Sequence, residues 1–246
     1  MILEKVWQWL TDGVNWSGPN GIPMRLQEHV IYSLITVLIA AAIAIPLGTW
    51  IAHTGKGKWL VTAANAARAV PSLGLLFVAA MFAGPRLSGD LAYTAPSIVV
   101  LVILAIPPIV AGAYAGVSEV DPAARDAAKG MGMTGGQVFT RVELPNALPL
   151  IFSGLRSATL QVIATATIAA AVSLGGLGRY LIDGLAQSKY EVMVGGSLLV
   201  ALLALAVDLL FALIQRTVVS PGLTGRSGRR SARSQRKALE ATGSAR

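Results

Sequence analysis

Five long, almost unbroken apolar stretches decide what this chain can fold into. A helix that crosses a bilayer needs about 20 mostly apolar residues. The stretches at about 30–52, 59–83, 95–117, 147–172 and 192–214 each reach that length. Their apolar residues run on without period-two alternation. That excludes a membrane barrel and leaves helices, the other spanning form that satisfies its own backbone. Only 13% of the residues are charged, against about a quarter in a soluble domain. The expectation is an all-α integral membrane bundle of five helices forming one domain. Pro46, Pro71 and the pair Pro107-Pro108 fall inside three of the spans. They are expected to interrupt them, because proline removes a backbone donor and crowds the preceding turn.

Charge placement gives the orientation. Of the net charge of +8, six come from the end after residue 225, where Arg226, Arg229, Arg230, Arg233, Arg236, Lys237 and Arg246 stand against Glu240. Residues 217–246 read as a basic, disordered tail, too rich in Ser, Gly and Arg to bury a core. Attraction to anionic headgroups is the other reading of the same charges. The basic balance therefore describes a tail and not a nucleic-acid-binding face. The loop His53–Lys58 is also basic, as is the segment carrying Arg125, Lys129 and Arg141. With five spans all three regions share one side. The positive-inside bias makes that side the cytoplasm, with the N-terminus outside. Residues 1–26, with Trp7, Trp9 and Trp16, read as an interfacial segment or a short amphipathic cap. Met1–Leu10 lacks the apolar run of a secretory signal.

Several chemistries are excluded. The chain has no cysteine, so disulfides and thiolate metal sites are ruled out. His29 and His53 stand at opposite ends of one span. No metal or cofactor site is expected. Gly55-Lys56-Gly57-Lys58 lacks the spacing of a nucleotide-binding phosphate loop, and there is no nucleophile–base constellation, so the chain is not expected to be an enzyme.

Three charges lie inside spans: Arg68, Arg156 and Asp208. Each is costly in the bilayer unless paired or wet. Counted from the cytoplasmic ends of their helices they sit at similar depth. A buried pairing of Asp208 with Arg156 or Arg68 is expected, either as a structural ion pair or as part of a solute gate. Gly175, Gly176 and Gly178 end the fourth span on the outer side, as a flexible outer gate or as a simple helix stop.

The polar segment between the third and fourth spans is the most informative. Asp121-Pro122 can cap and start a helix, and Ala123–Met131 are rich in alanine. Gly132 and Gly135-Gly136 are expected to break that helix. Gln137–Glu143 would form a second short turn, ended before Leu144-Pro145. A membrane protein that keeps such a knob in water presents a surface to a partner. The segment reads Asp126-Ala127-Ala128, three residues, Gly132, nine residues, Val142, one residue, Leu144-Pro145.

This pattern resembles the EAA loop of ABC-importer permeases, with Asp126 where Glu is usual and Val142 where Ile is usual. The resemblance implies a type I ABC importer transmembrane domain over 27–216. In it, Asp126, Ala127, Ala128, Gly132, Val142, Leu144 and Pro145 would couple the chain to separate ABC ATPase subunits. Further runs resemble the osmoprotectant branch, whose permeases serve glycine betaine, carnitine and choline. These include Ala67-Arg68-Ala69-Val70-Pro71-Ser72-Leu73, Gly130-Met131-Gly132-Met133-Thr134, Gly154-Leu155-Arg156-Ser157-Ala158-Thr159 and Gly175-Gly176-Leu177-Gly178. The resemblance covers about residues 27–220. It implies a place in the bacterial cytoplasmic membrane, within the lipid bilayer, with a second permease subunit, identical or homologous. It also implies an external solute-binding protein. The spans hold few aromatics and no cluster that would cage a quaternary ammonium, which fits selectivity residing in that binding protein. A permease for another small solute, such as an amino acid, fits as well. An ATPase-independent transporter would leave the knob without a role.

Overall fold

The computed structural model describes residues 2–218; the basic tail expected from residue 217 onward therefore lies almost wholly outside the described residues. The described chain is helical: α1 (Ile2–Thr11), α2 (Ile22–Thr54), α3 (Lys58–Ala67), α4 (Ser72–Ala83), α5 (Leu91–Ser118), α6 (Pro122–Gly130), α7 (Gly135–Val138), α8 (Leu144–Ala169), α9 (Gly178–Ala186) and α10 (Tyr190–Val218). Four helical stretches are long and apolar enough to cross a membrane alone: α2, α5, the stretch Gly135–Val172 that contains α8, and α10. The 33 residues of α2 span about 50 Å, more than the roughly 30 Å hydrocarbon core, so its ends stand clear of it.

The second expected span, 59–83, is not one helix. It is α3 and α4, bent by 92°. Pro71 has no N–H and disfavours helical backbone at Val70. The chain ahead of it tightens into three-residue turns, Arg68 N–H to Asn65 O and Val70 N–H to Ala67 O, before Leu75 N–H bonds Pro71 O and α4 begins. The two halves still make one crossing. A methyl at Gly48 would lie 2.8 Å from the Ala113 methyl and from Val110 O, and Val37 and Ala40 cluster with Val102 and Ala105. Higher numbers meet higher numbers, so α2 and α5 run parallel. The chain between them must return through the full height of the bundle.

α8 runs antiparallel to α5, and small residues set their separation. Methyls at Gly112 and Gly116 would meet Leu150 O at 2.6 Å and Ala147 O at 2.7 Å. Such close backbone approach is how helices associate in lipid, where no hydrophobic drive joins them. The core lies along these contacts, with Ala105, Ile109, Val110, Ala158 and Val162 buried between α2, α5 and α8.

Pro46, Pro107 and Pro108 do not interrupt their helices, contrary to expectation; α2 and α5 run through them. The neighbouring helix shows why for one. Pro108 cannot donate to Leu104 O, four residues back, and Gln161 of α8 donates its side-chain N–H to that oxygen at 3.0 Å. Gln161→Leu is expected to orphan the carbonyl and cost about 1–3 kcal/mol, read as a lowered melting temperature of the purified protein.

α10 sits at the periphery, with Leu198, Leu202, Leu205, Leu209 and Leu213 facing outward. Its N-terminal half is held by aromatic lids: Trp9 of α1 lies over Gly195 and Tyr180 of α9 over Gly196, with the two rings 5.1 Å apart, edge to face. The N-terminal segment thus caps α10 with Val6 and Trp9, while Leu3, Trp7, Val14 and Trp16 stay exposed.

Candidate functional site

The polar segment folds as a knob at one end of the bundle. Asp121 caps α6, its Oδ1 accepting from Ala123 N–H at 2.9 Å, and Pro122 takes the first turn. α6 ends in a left-handed glycine: Gly132 has φ +83°, Gly132 N–H bonds Lys129 O, and Met133 N–H bonds Ala128 O. These two bonds make the six-residue closure that favours glycine at this position. A methyl at Gly132 would meet nothing within 4 Å, so the backbone angle and not crowding selects the residue. Gly132→Val is expected to strain the turn by roughly 1–2 kcal/mol, whereas Gly132→Asn tolerates it. Limited proteolysis of the knob checks this.

Gly135 and Gly136 do not break the helix as expected; they form the first turn of α7. Thr134 caps it, with Gln137 reaching back to Thr134 N–H at 2.8 Å. Nor does the helix end before Leu144-Pro145. It runs on into α8 through a wide π turn, Phe139–Glu143, closed by Leu144 N–H to Phe139 O. The wide turn accommodates Pro145, which has no N–H to offer, and Asn146 Nδ2 bonds Val142 O at 2.6 Å.

The residues expected to couple fall on two faces. Asp126, Ala127, Gly132 and Pro145 are exposed, while Val142 and Leu144 are half-buried. Ala128 is 1% exposed and packs inward, so it supports the knob instead of presenting it. Met131, 72% exposed, extends the outward face. Beside the root of α6 an open cavity of about 360 Å³ is lined by Gly116, Glu119, Asp121, Ala124, Asn146 and Pro149.

A buried carboxylate fixes the knob to the bundle. Glu143 is 3% exposed. His53 Nδ1, at the end of α2, donates to its Oε2 at 2.5 Å, and Arg125 Nε, on α6, lies 3.0 Å from its Oε1. That second contact is an ion pair off the line of a hydrogen bond. Arg125 also donates through Nη2 to Val117 O at the end of α5. In the sequence Glu143 reads only as the end of a short polar turn. Its partners are 18 and 90 residues away, and the available signal was an acid placed at the start of an apolar span. The contact also puts the His53–Lys58 loop and the knob at the same end of the bundle.

At half-depth Arg156 and Asp208 form the expected pair, Nε to Oδ1 at 2.5 Å and Nη2 to Oδ2 at 2.6 Å. The side chains are 37% and 26% exposed, so the pair is not buried in the single chain. Arg68 takes no part in it. It is exposed at the α3–α4 break, with no ion pair among the described residues.

At the other end the loop after α8 turns sharply. Gly175 and Gly176 have φ +87° and +71°, and a methyl at Gly178 would collide with Thr167 O. Glu28 of α2 accepts from Gly176 N–H and from Arg25, each at 2.8 Å. His29 Nε2 donates to Ile163 O at 3.1 Å. Tyr180 donates to Asn20 O at 2.7 Å; burial pushes its phenol above the ordinary value, Arg25 opposing and Glu28 adding, so it stays a donor at neutral pH. Gly175 and Gly176 are held by α2 in tight contact, and Gly178 packs against Thr167 and Ala170 at the end of α8.

Residues 29–220 match the model of a family described as binding-protein-dependent transport system inner membrane component. The chain is 34% identical over 201 residues to the glycine betaine/carnitine/choline transport system permease protein OpuCB of Bacillus subtilis (strain 168), covering 80% of this chain and 88% of that protein. It is 32% identical over 200 residues to the osmoprotectant import permease protein OsmW of Salmonella typhimurium, covering 80% and 91%. An inward-facing structure of the MetNI methionine ABC transporter superposes with TM-score 0.70 at 21% identity, over 81% of this chain and 96% of that one. At that identity it speaks for the fold alone.

Proposed function

We propose that this chain, which belongs to the family of binding-protein-dependent transport system inner membrane components, is the permease subunit of an ATP-driven importer for a quaternary ammonium compatible solute such as glycine betaine, choline or carnitine. The observation that carries the substrate class is the identity to the betaine, carnitine and choline permease, which extends over four-fifths of the chain. ATP hydrolysis belongs to separate ATPase subunits, and a binding protein delivers the solute from outside.

Two copies of this chain, or this chain and a homologue, clasp two ATPases. The outward face of α6, with Asp126 and Ala127, and the turn at Gly132 meet the ATPase; Val142, Leu144 and Pro145 form the root through which motion enters α8. The knob and the basic loop His53–Lys58 share one end of the bundle. Positive residues favour the cytoplasmic side, so we place that end inside, with residues 1–26 as an outer cap. Gly175, Gly176 and Gly178 then border the outer mouth as the hinge of an outer gate, the first two held by α2 and the third by the end of α8.

The test is uptake of radiolabelled glycine betaine, choline and carnitine in a host lacking its own osmoprotectant importers. The host is supplied with this chain, its ATPase and its binding protein. Accumulation of at least one of the three that disappears when the ATPase is omitted is the expected result. Uptake of none would refute the substrate assignment.

A further inference from the structure

Resting on that function, we propose that Arg125, Glu143 and His53 are positioning residues for energy coupling: a three-member clamp that makes α6 and the inner ends of α2, α5 and α8 move as one body. The geometry is specific. The Glu143 carboxylate is 3% exposed and holds cationic or N–H groups from two other elements, His53 at 2.5 Å and Arg125 at 3.0 Å. Arg125 bonds a fourth element through the Val117 carbonyl.

Three segments therefore meet at Glu143, and Arg125 ties in a fourth. Arg125 and Ala128 lie one turn apart on the inner face of α6, the first held by the clamp and the second by packing. Asp126, Ala127 and Met131 face outward. A force applied to that outer face reaches the spans through Arg125 and Glu143. The rest of the knob is poorly suited to carry it. Its other link, Met131–Thr134, turns on the left-handed Gly132, and its exit is the wide turn Phe139–Glu143. A wide turn of this kind is a local departure from helical bonding that recurs at functional sites. Here Glu143 is its last residue. Phe139 adds an edge-to-face contact with His53, ring centres 5.4 Å apart, which keeps the imidazole turned toward the carboxylate.

A purely structural ion pair and a coupling clamp differ in what a double replacement does. Removing one partner of a buried pair strands the other, while removing both leaves no lone charge and is often neutral for stability. The complete importer, with its ATPase and binding protein, is reconstituted in liposomes as wild type, Glu143→Gln, Arg125→Met and the double variant. Melting temperature, ATP hydrolysis and radiolabelled betaine uptake are measured on each. The single variants are expected to melt lower. The double variant should recover the melting temperature and bind the ATPase normally, yet still show about tenfold less betaine moved per ATP, the size of a typical coupling between sites. Recovery of the transport ratio together with stability overturns the proposal, as does a wild-type ratio in Glu143→Gln. Should the wild-type complex hydrolyse ATP but move none of betaine, choline and carnitine, the substrate assignment alone fails. The clamp is then read from the stimulation of ATP hydrolysis by the binding protein. That stimulation is expected to be lost in the double variant, and its retention there refutes the clamp.

Discussion

Leucine at Gly112 or Gly154 is expected to leave almost no folded protein in the membrane. The two glycines face each other where α5 and α8 cross. A side chain at Gly112 would begin 2.6 Å from Leu150 O and 2.9 Å from Gly154 Cα; one at Gly154 would begin 2.7 Å from Pro108 O. These obstacles are backbone atoms of two long helices, and no rotamer change moves them. The helices must separate. Overpacking in a core costs typically 1–3 kcal/mol and occasionally more; here about 3 kcal/mol or more is expected, because separation also draws Gln161 away from Leu104 O and opens the cluster around Ala113, Val117, Ala147 and Ile151. Alanine at either site should show the same effect in weaker form. Gly130→Leu is the control: it has open space around it and should leave stability unchanged. Size-exclusion profiles and melting temperatures of detergent-extracted protein distinguish the cases. A normal profile for Gly112→Leu would disprove the close crossing.

Which features were legible follows from the range of the interactions behind them. Apolar run length depends on neighbours in sequence, and it located α2, α5, α8 and α10 to within a few residues at most ends. The start of α2 at Ile22 instead of about residue 30 was missed, because Arg25, Glu28 and His29 look like the end of a span. Their polarity is consumed at the end of the bundle away from the knob, where Glu28 holds Gly176 and His29 holds Ile163 O. Local chemistry also gave the Asp121 cap and the turn at Gly132. Proline was legible only in part. Its missing donor breaks a helix when nothing else takes up the strain, as at Pro71, and not when a neighbour satisfies the freed carbonyl, as Gln161 does across 57 residues. The clamp at Glu143 joins residues from three segments, and no periodicity in the chain announces it. Charge at depth was more informative: the cost of a lone ion in lipid sufficed to pair Asp208 with Arg156, although it did not exclude Arg68.

That pair carries the second large effect. Arg156→Leu and Asp208→Leu are each expected to reduce the folded protein in the membrane severalfold. Each leaves one charge stranded at bilayer depth without the partner that it has in the pair. The bidentate geometry, two N–H···O bonds between α8 and α10 at 2.5 and 2.6 Å, also fixes the C-terminal half of α10. The N-terminal half is already held by Trp9 over Gly195, so loss of the pair should free the C-terminal half alone. Protease sensitivity confined to the end of α10 is the corresponding observation. Exchanging the charges, Arg156→Asp with Asp208→Arg, keeps both ions paired across the same gap and is expected to restore most of the folded protein. Failure of the exchange to restore it would show that the surroundings, and not the pairing, require each residue where it stands. Arg68→Gln completes the test: Arg68 is exposed at the α3–α4 break, away from the pair, and its loss should leave the folded amount unchanged.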